Sequence, residues 1–217
     1  MPAARPMPRV APMQAMQAHA RRASLRWAGA LLAWLLLAGH ASAAGDAAWT
    51  FDPEVLLARS EQAIGNASDA AIDRLFQAVW RSAQAPTEMA AMCAFFAPDA
   101  RRDLAAINRA AARFSPASQR RFQQATDGLL RSAQQAPPQP YDPDLAMHAL
   151  KQAAVTAAML HDGFIAGISA SGSDAASQRA RCRSLRLLLG TVSMRPPEER
   201  AMITRLLMRE GLRRLQR

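Results

Sequence analysis

Prolines in this chain stand where helices begin, and that placement constrains the fold more than any other feature. Proline has no amide proton and fixes φ near −65°, so it fits the first turn of a helix and is excluded from the interior. Phe51-Asp52-Pro53-Glu54 supplies a full start. Asp52 is placed to cap, Pro53 to take the first helical position and Glu54 to favour the dipole, with Phe51 stapled onto Leu56. Tyr141-Asp142-Pro143-Asp144 repeats that signature, Ser115-Pro116 and Pro197-Glu198-Glu199 are weaker versions, and Pro98-Asp99 opens another segment. Strand signals are missing: β-branched residues do not alternate over any sustained run, and there is no Asn-Gly hairpin.

Between these starts, apolar residues recur with a period near 3.6. Ile72, Leu75, Phe76, Val79 and Trp80 form one face; Met89, Met92, Cys93 and Phe96 another; Phe122, Leu129 and Leu130 a third. The pattern predicts helices over 53–64, 69–85, 88–96, 99–113, 116–134, 143–169, 175–189 and 197–215. That is an all-α fold, a single compact multi-helix domain of about seven or eight helices. The segment 143–169 is apolar around much of its circumference and is expected to be a central buried helix, with Gly163 and Gly167 letting a neighbour approach closely. The Pro-rich stretch 135–140 cannot continue a helix and is the hinge candidate; Ser171-Gly172-Ser173 is a second break.

The N-terminal residues bear on destination. Arg21, Arg22 and Arg26 precede an apolar run over 27–39, which leads to Ala41-Ser42-Ala43. A positive region, a short apolar region and an A-x-A site read as a secretory signal peptide over 1–43, cleaved after about Ala43. The run of 13 residues is short against the roughly 20 that span a bilayer. Arg21-Arg22 faintly resembles a twin-arginine export signal, and the long stretch before it, with Met7, Met13 and Met16, suggests a later start codon. The exported domain is then 44–217, and the expected location is the periplasm of a bacterium or the space outside the cell.

An oxidising compartment gives the cysteine count meaning. Cys93 and Cys182 are the only two, which favours one disulfide closing a loop of 89 residues over two buried thiols. No C-x-x-C indicates a thiol oxidoreductase.

Candidate catalytic residues are few. His148 and His161 are the histidines beyond the signal, and thirteen positions apart on one helix they diverge, so no shared metal is expected. Asp144 and His148 are spaced i, i+4 and can touch, and His161-Asp162-Gly163 is a tempting catalytic tripeptide; helix capping and a core histidine explain the same residues. Asp52 with Glu54, and Asp142 with Asp144, are likewise explained by capping. No G-x-S-x-G, H-E-x-x-H, P-loop or dinucleotide fingerprint is present, and no cofactor is expected.

Charge is more telling. The exported part holds 22 basic residues against 17 acidic ones, unevenly spread. Residues 175–217 carry eleven arginines and three glutamates, whereas 44–174 carry 11 basic and 14 acidic residues. Arg179, Arg183 and Arg186 fall on one helical face, and Arg205, Arg209 and Arg213 on another. This basic end can fold against the acidic half of its own chain, meet an envelope protein with an acidic surface, or sit on anionic lipid or cell-wall polymer. Nucleic acid is not expected, because 175–217 has no aromatic residue to stack on bases. The sequence thus favours an exported cell-envelope protein, a non-catalytic helical protein-binding module acting through those six arginines. The alternatives are a periplasmic hydrolase using His148 or His161 with a nearby acid, and a peripheral protein on anionic membrane.

Overall fold

Ser115 and Asp142 cap helices as their neighbouring prolines foretell. Asp142 Oδ1 accepts from the amides of Asp144 at 2.8 Å and Leu145 at 3.1 Å, and Ser115 Oγ accepts from Ser118 N at 3.2 Å. The computed structural model describes residues 53–94, 97, 100 and 104–215. The expected Asp52 cap, the Pro98-Asp99 start and the signal over 1–43 lie outside the described residues.

Nine helices and no strand occur among the described residues. They are α1 (Pro53–Asn66), α2 (Asp69–Ala83), α3 (Pro86–Ala94), α4 (Leu104–Ala111), α5 (Pro116–Gln135), α6 (Pro143–Leu160), α7 (Phe164–Ile168), α8 (Ala175–Ser193) and α9 (Pro197–Leu215). Helix α2 is the hub and packs on α9, α5, α3 and α8; α9 also packs on α1 and α6, and α8 on α3, α6 and α7. Ile72, Leu75, Phe76 and Val79 of α2 meet a core that includes Leu129 of α5 and Ile203, Met208 and Leu212 of α9. The linker after α5 is tied to the end of α1, where Gln139 N donates to Gly65 O at 2.9 Å.

The segment 143–169 departs from expectation twice. It is two helices, because the chain turns at His161-Asp162-Gly163, where Gly163 adopts φ 78°. That left-handed conformation suits glycine, and the tripeptide that invites a catalytic reading makes a turn. Nor is α6 central. Only Ala146, Ala149, Ala153 and Ala157 are buried on it, while Leu145, Val155, Met159 and Leu160 are exposed. Alanine lets α6 lie close against α8 and α9, and the larger apolar side chains are left outside. The close approach expected at Gly163 is absent, since a Cβ there would meet nothing within 4 Å. Gly167 does make one: a Cβ would stand 2.5 Å from Ala180 O of α8.

The buried central helix is α9 instead. Ala201, Ile203, Thr204, Arg205, Leu206 and Met208 are all buried along it, so the stretch 201–208 has no exposed residue. Arg205 is 1% exposed. Its guanidinium donates to the carbonyls of Ile64 and, at 2.7 Å, Ala67, and pairs with Asp69 Oδ1 at 2.9 Å. Those carbonyls belong to the end of α1 and the turn into α2, where helical partners run out. A neighbouring pair fixes the same two helices: Arg200 grips Asp73 of α2 with Nε at 2.7 Å and Nη2 at 2.8 Å. The hydrogen bonds that Arg200 donates to Asp73 raise the Arg200 pKa although burial opposes it.

Cys93 of α3 and Cys182 of α8 form the disulfide, with Cα atoms 5.3 Å apart. It closes 89 residues of chain that include α4 through α7. Replacing both cysteines by serine is expected to lower the unfolding free energy by about 4–5 kcal/mol, from the chain entropy restored to the unfolded state. Urea unfolding of oxidised wild type against the double variant checks this.

Candidate functional site

The six arginines of interest divide four ways. Arg205 is withdrawn into the core, so its assignment to a binding surface is corrected: the stripe it was read from runs from the buried start of α9 to its exposed end. Arg209, on the same helix, is half-buried, and its guanidinium lies 4.5 Å from the centroid of the Tyr141 ring, a cation–π contact that holds the chain just before α6. Arg213 is exposed and pairs with Glu210 one turn back. The expected joint face of Arg205, Arg209 and Arg213 is therefore not assembled.

Arg179, Arg183 and Arg186 are different. They follow one another at spacings of four and three on α8, so they share a face, and all three are exposed. Among the described residues, no carboxylate lies within ion-pairing distance of any of them. The opposite sides of α8 explain why this face is outward. Cys182, Leu185 and Leu189 turn to the core and to α3. Ser184 turns to α7, donating to Phe164 O at 2.9 Å. Arg181, two residues from Arg179 and Arg183, is buried and donates to Ala170 O at 2.9 Å and Gly172 O at 2.6 Å. Asp174 caps the start of the helix, and its bonds from Ser177 and from the amide of Ala176 hold its pKa below the ordinary carboxylate value.

The histidines do not gather a site. His148 is exposed on α6, and His161 ends that helix, its amide donating to Ala157 O at 3.0 Å. Among the described residues neither imidazole has a carboxylate within ion-pairing distance, Asp144 included. No group of three or more metal-binding side chains occurs among the described residues, and no described helix is long and apolar enough to cross a membrane.

One buried polar cluster escaped sequence reading. Glu88 of α3 is buried and accepts from Ser118 Oγ at 2.8 and 2.6 Å and from Ser115 N at 3.0 Å. Arg121 in turn donates to Ser118 Oγ. The Ser118 hydroxyl is thereby committed, and the residue is fully buried, so the cluster anchors the N-terminus of α5 rather than offering a nucleophile. The signal was obscure because Glu88 lies 27 and 30 residues from its partners.

Comparison with protein-family models, with curated proteins and with solved structures finds no match.

Burial would raise the Glu88 pKa, but the bonds from Ser118 and Ser115 outweigh it and hold the carboxyl below its ordinary value of 4.5. A depressed carboxylate stabilises the fold at pH above its unfolded pKa, and that contribution is lost as pH falls through the folded pKa. Glu88→Gln is expected to cost about 1–3 kcal/mol at pH 7, from donors left poorly satisfied. The gap between variant and wild type should narrow as pH drops below 4.5. Unfolding free energies measured from pH 7 to pH 3 check both the size and the sign.

Proposed function

We propose that this chain is an exported, non-catalytic binding module of the bacterial cell envelope, and that Arg179, Arg183 and Arg186 bind an acidic surface on another protein. The observation that carries the reading is the state of those three side chains: exposed, in one row, and without a carboxylate partner among the described residues. Part of the basic end turns inward. Arg200 and Arg205 pair with Asp73 and Asp69 of α2, which realises the intramolecular option for those two residues, whereas the α8 row has no such pair among the described residues. Guanidinium groups suit this role, because each presents a planar fork of donors to a carboxylate and stays charged at any physiological pH.

Export is supported by the residue order over 1–43 and by the disulfide, which suits an oxidising compartment. The binding reading is preferred to the hydrolase alternative because neither imidazole has a carboxylate within ion-pairing distance among the described residues.

The test is a capture experiment with oxidised protein and envelope extract at low and high salt. Wild type is expected to retain one stoichiometric protein that salt releases, and Arg179→Glu/Arg183→Glu/Arg186→Glu to retain at least about tenfold less of it. Equal capture by both would overturn the assignment to α8.

A further inference from the structure

An exposed apolar corner is formed on the two helices, α6 and α7, that pack against α8. Met159 is 81% exposed, Leu160 60% and Val155 59% on the last turns of α6, and Ile165 is 58% exposed on α7 just past the turn. The position of this corner is set by α7, which is seated on α8 against Ala180 and Ser184: Phe164 O accepts from Ser184 Oγ, and Gly167 stands against Ala180 O. The same stretch of α8 carries Arg179 and Arg183. Exposed apolar side chains and cations without a carboxylate partner among the described residues therefore lie on helices packed against one another. Large apolar side chains exposed as a group beside charge mark an interaction surface more often than isolated ones do.

We propose that the α6–α7 corner and the α8 arginine row form one docking surface for an acidic amphipathic helix of a partner protein. This rests on the binding reading above and adds to it the form of the ligand. Charge complementarity selects an acidic partner, and spacing selects a helix. Arg179, Arg183 and Arg186 are separated by four and three residues, so they rise roughly 10 Å along α8. A partner helix with carboxylates at i, i+4 and i+7 presents the same spacing, and a stripe of leucines beside them would cover Val155, Met159, Leu160 and Ile165. A lipid surface fits less well. Asp162 is exposed in the turn between Leu160 and Ile165, where it would face headgroup phosphates, and the corner holds no exposed tryptophan or tyrosine.

Two synthetic helical peptides test the proposal by fluorescence anisotropy on the oxidised protein. One carries glutamates with leucines at i, i+3, i+4 and i+7; the other has alanine in place of each leucine. The leucine peptide is expected to bind at least about tenfold more tightly than the alanine peptide. Met159→Ser/Ile165→Ser should erase that advantage and leave the alanine peptide unaffected, and Arg179→Glu/Arg183→Glu/Arg186→Glu should weaken both. All five side chains are exposed, so the variants should fold, with circular dichroism and melting temperature as the control. Equal binding of the two peptides, lost only in the arginine variant, would overturn the apolar corner and leave the charge-based reading standing. Failure of both peptides with binding to phosphatidylglycerol vesicles would overturn both readings in favour of a membrane surface.

Discussion

Arg205 is the side chain around which the two halves of the sequence close. The end of α1 and the turn into α2 leave carbonyls with no helical donor, and a buried carbonyl without a partner is costly. Arg205 answers two of them, at Ile64 and Ala67, and keeps its charge paired with Asp69 at the start of α2. Arg200 does the same work one turn earlier against Asp73. The late helix is thereby locked to the earliest described helices, and the apolar faces of α2, α5 and α9 meet at a fixed angle. The disulfide secures the other flank by joining α3 to α8. With α8 held by that bond on one side and by α7 on the other, only one face of it can point outward, and that face is arginine.

One type of residue thus serves two ends. Where carbonyls and aspartates converge, the guanidinium fork is buried and structural; where α8 turns to solvent, the same group has no carboxylate partner among the described residues. The distinction lies in surroundings and not in spacing, since both rows follow the same helical repeat. It follows that net charge over 175–217 overstates the cationic surface available to a partner, because Arg181, Arg200 and Arg205 are spent on internal contacts.

Local signals were legible. The Asp142-Pro143 and Ser115-Pro116 starts, the all-helical class and the cysteine pairing could all be read from neighbours or from a count of two. What escaped was long-range. Arg205 finds its partners 136, 138 and 141 residues away, and its i, i+4 relation to Arg209 looks like a solvated stripe. Helix α6 looked central because its composition is apolar, but the alanines take the buried side and the larger residues the exposed one. The break at 161–163 depends on a single glycine in a left-handed conformation, which periodicity does not report. At the candidate site, the α8 row was found by spacing alone, whereas its separation from the α9 row required the fold.

The most direct test of the division compares Arg205→Gln with Arg183→Gln in urea unfolding at neutral pH. Each removes one positive charge and keeps a polar side chain. Arg205→Gln is expected to lose about 3–5 kcal/mol, because it strips a buried group from its partners. Arg183→Gln is expected to stay within about 0.5 kcal/mol of wild type, as a solvated surface change does. Equal, small losses in both would contradict the account, for Arg205 would then not be what holds α9 to α1 and α2.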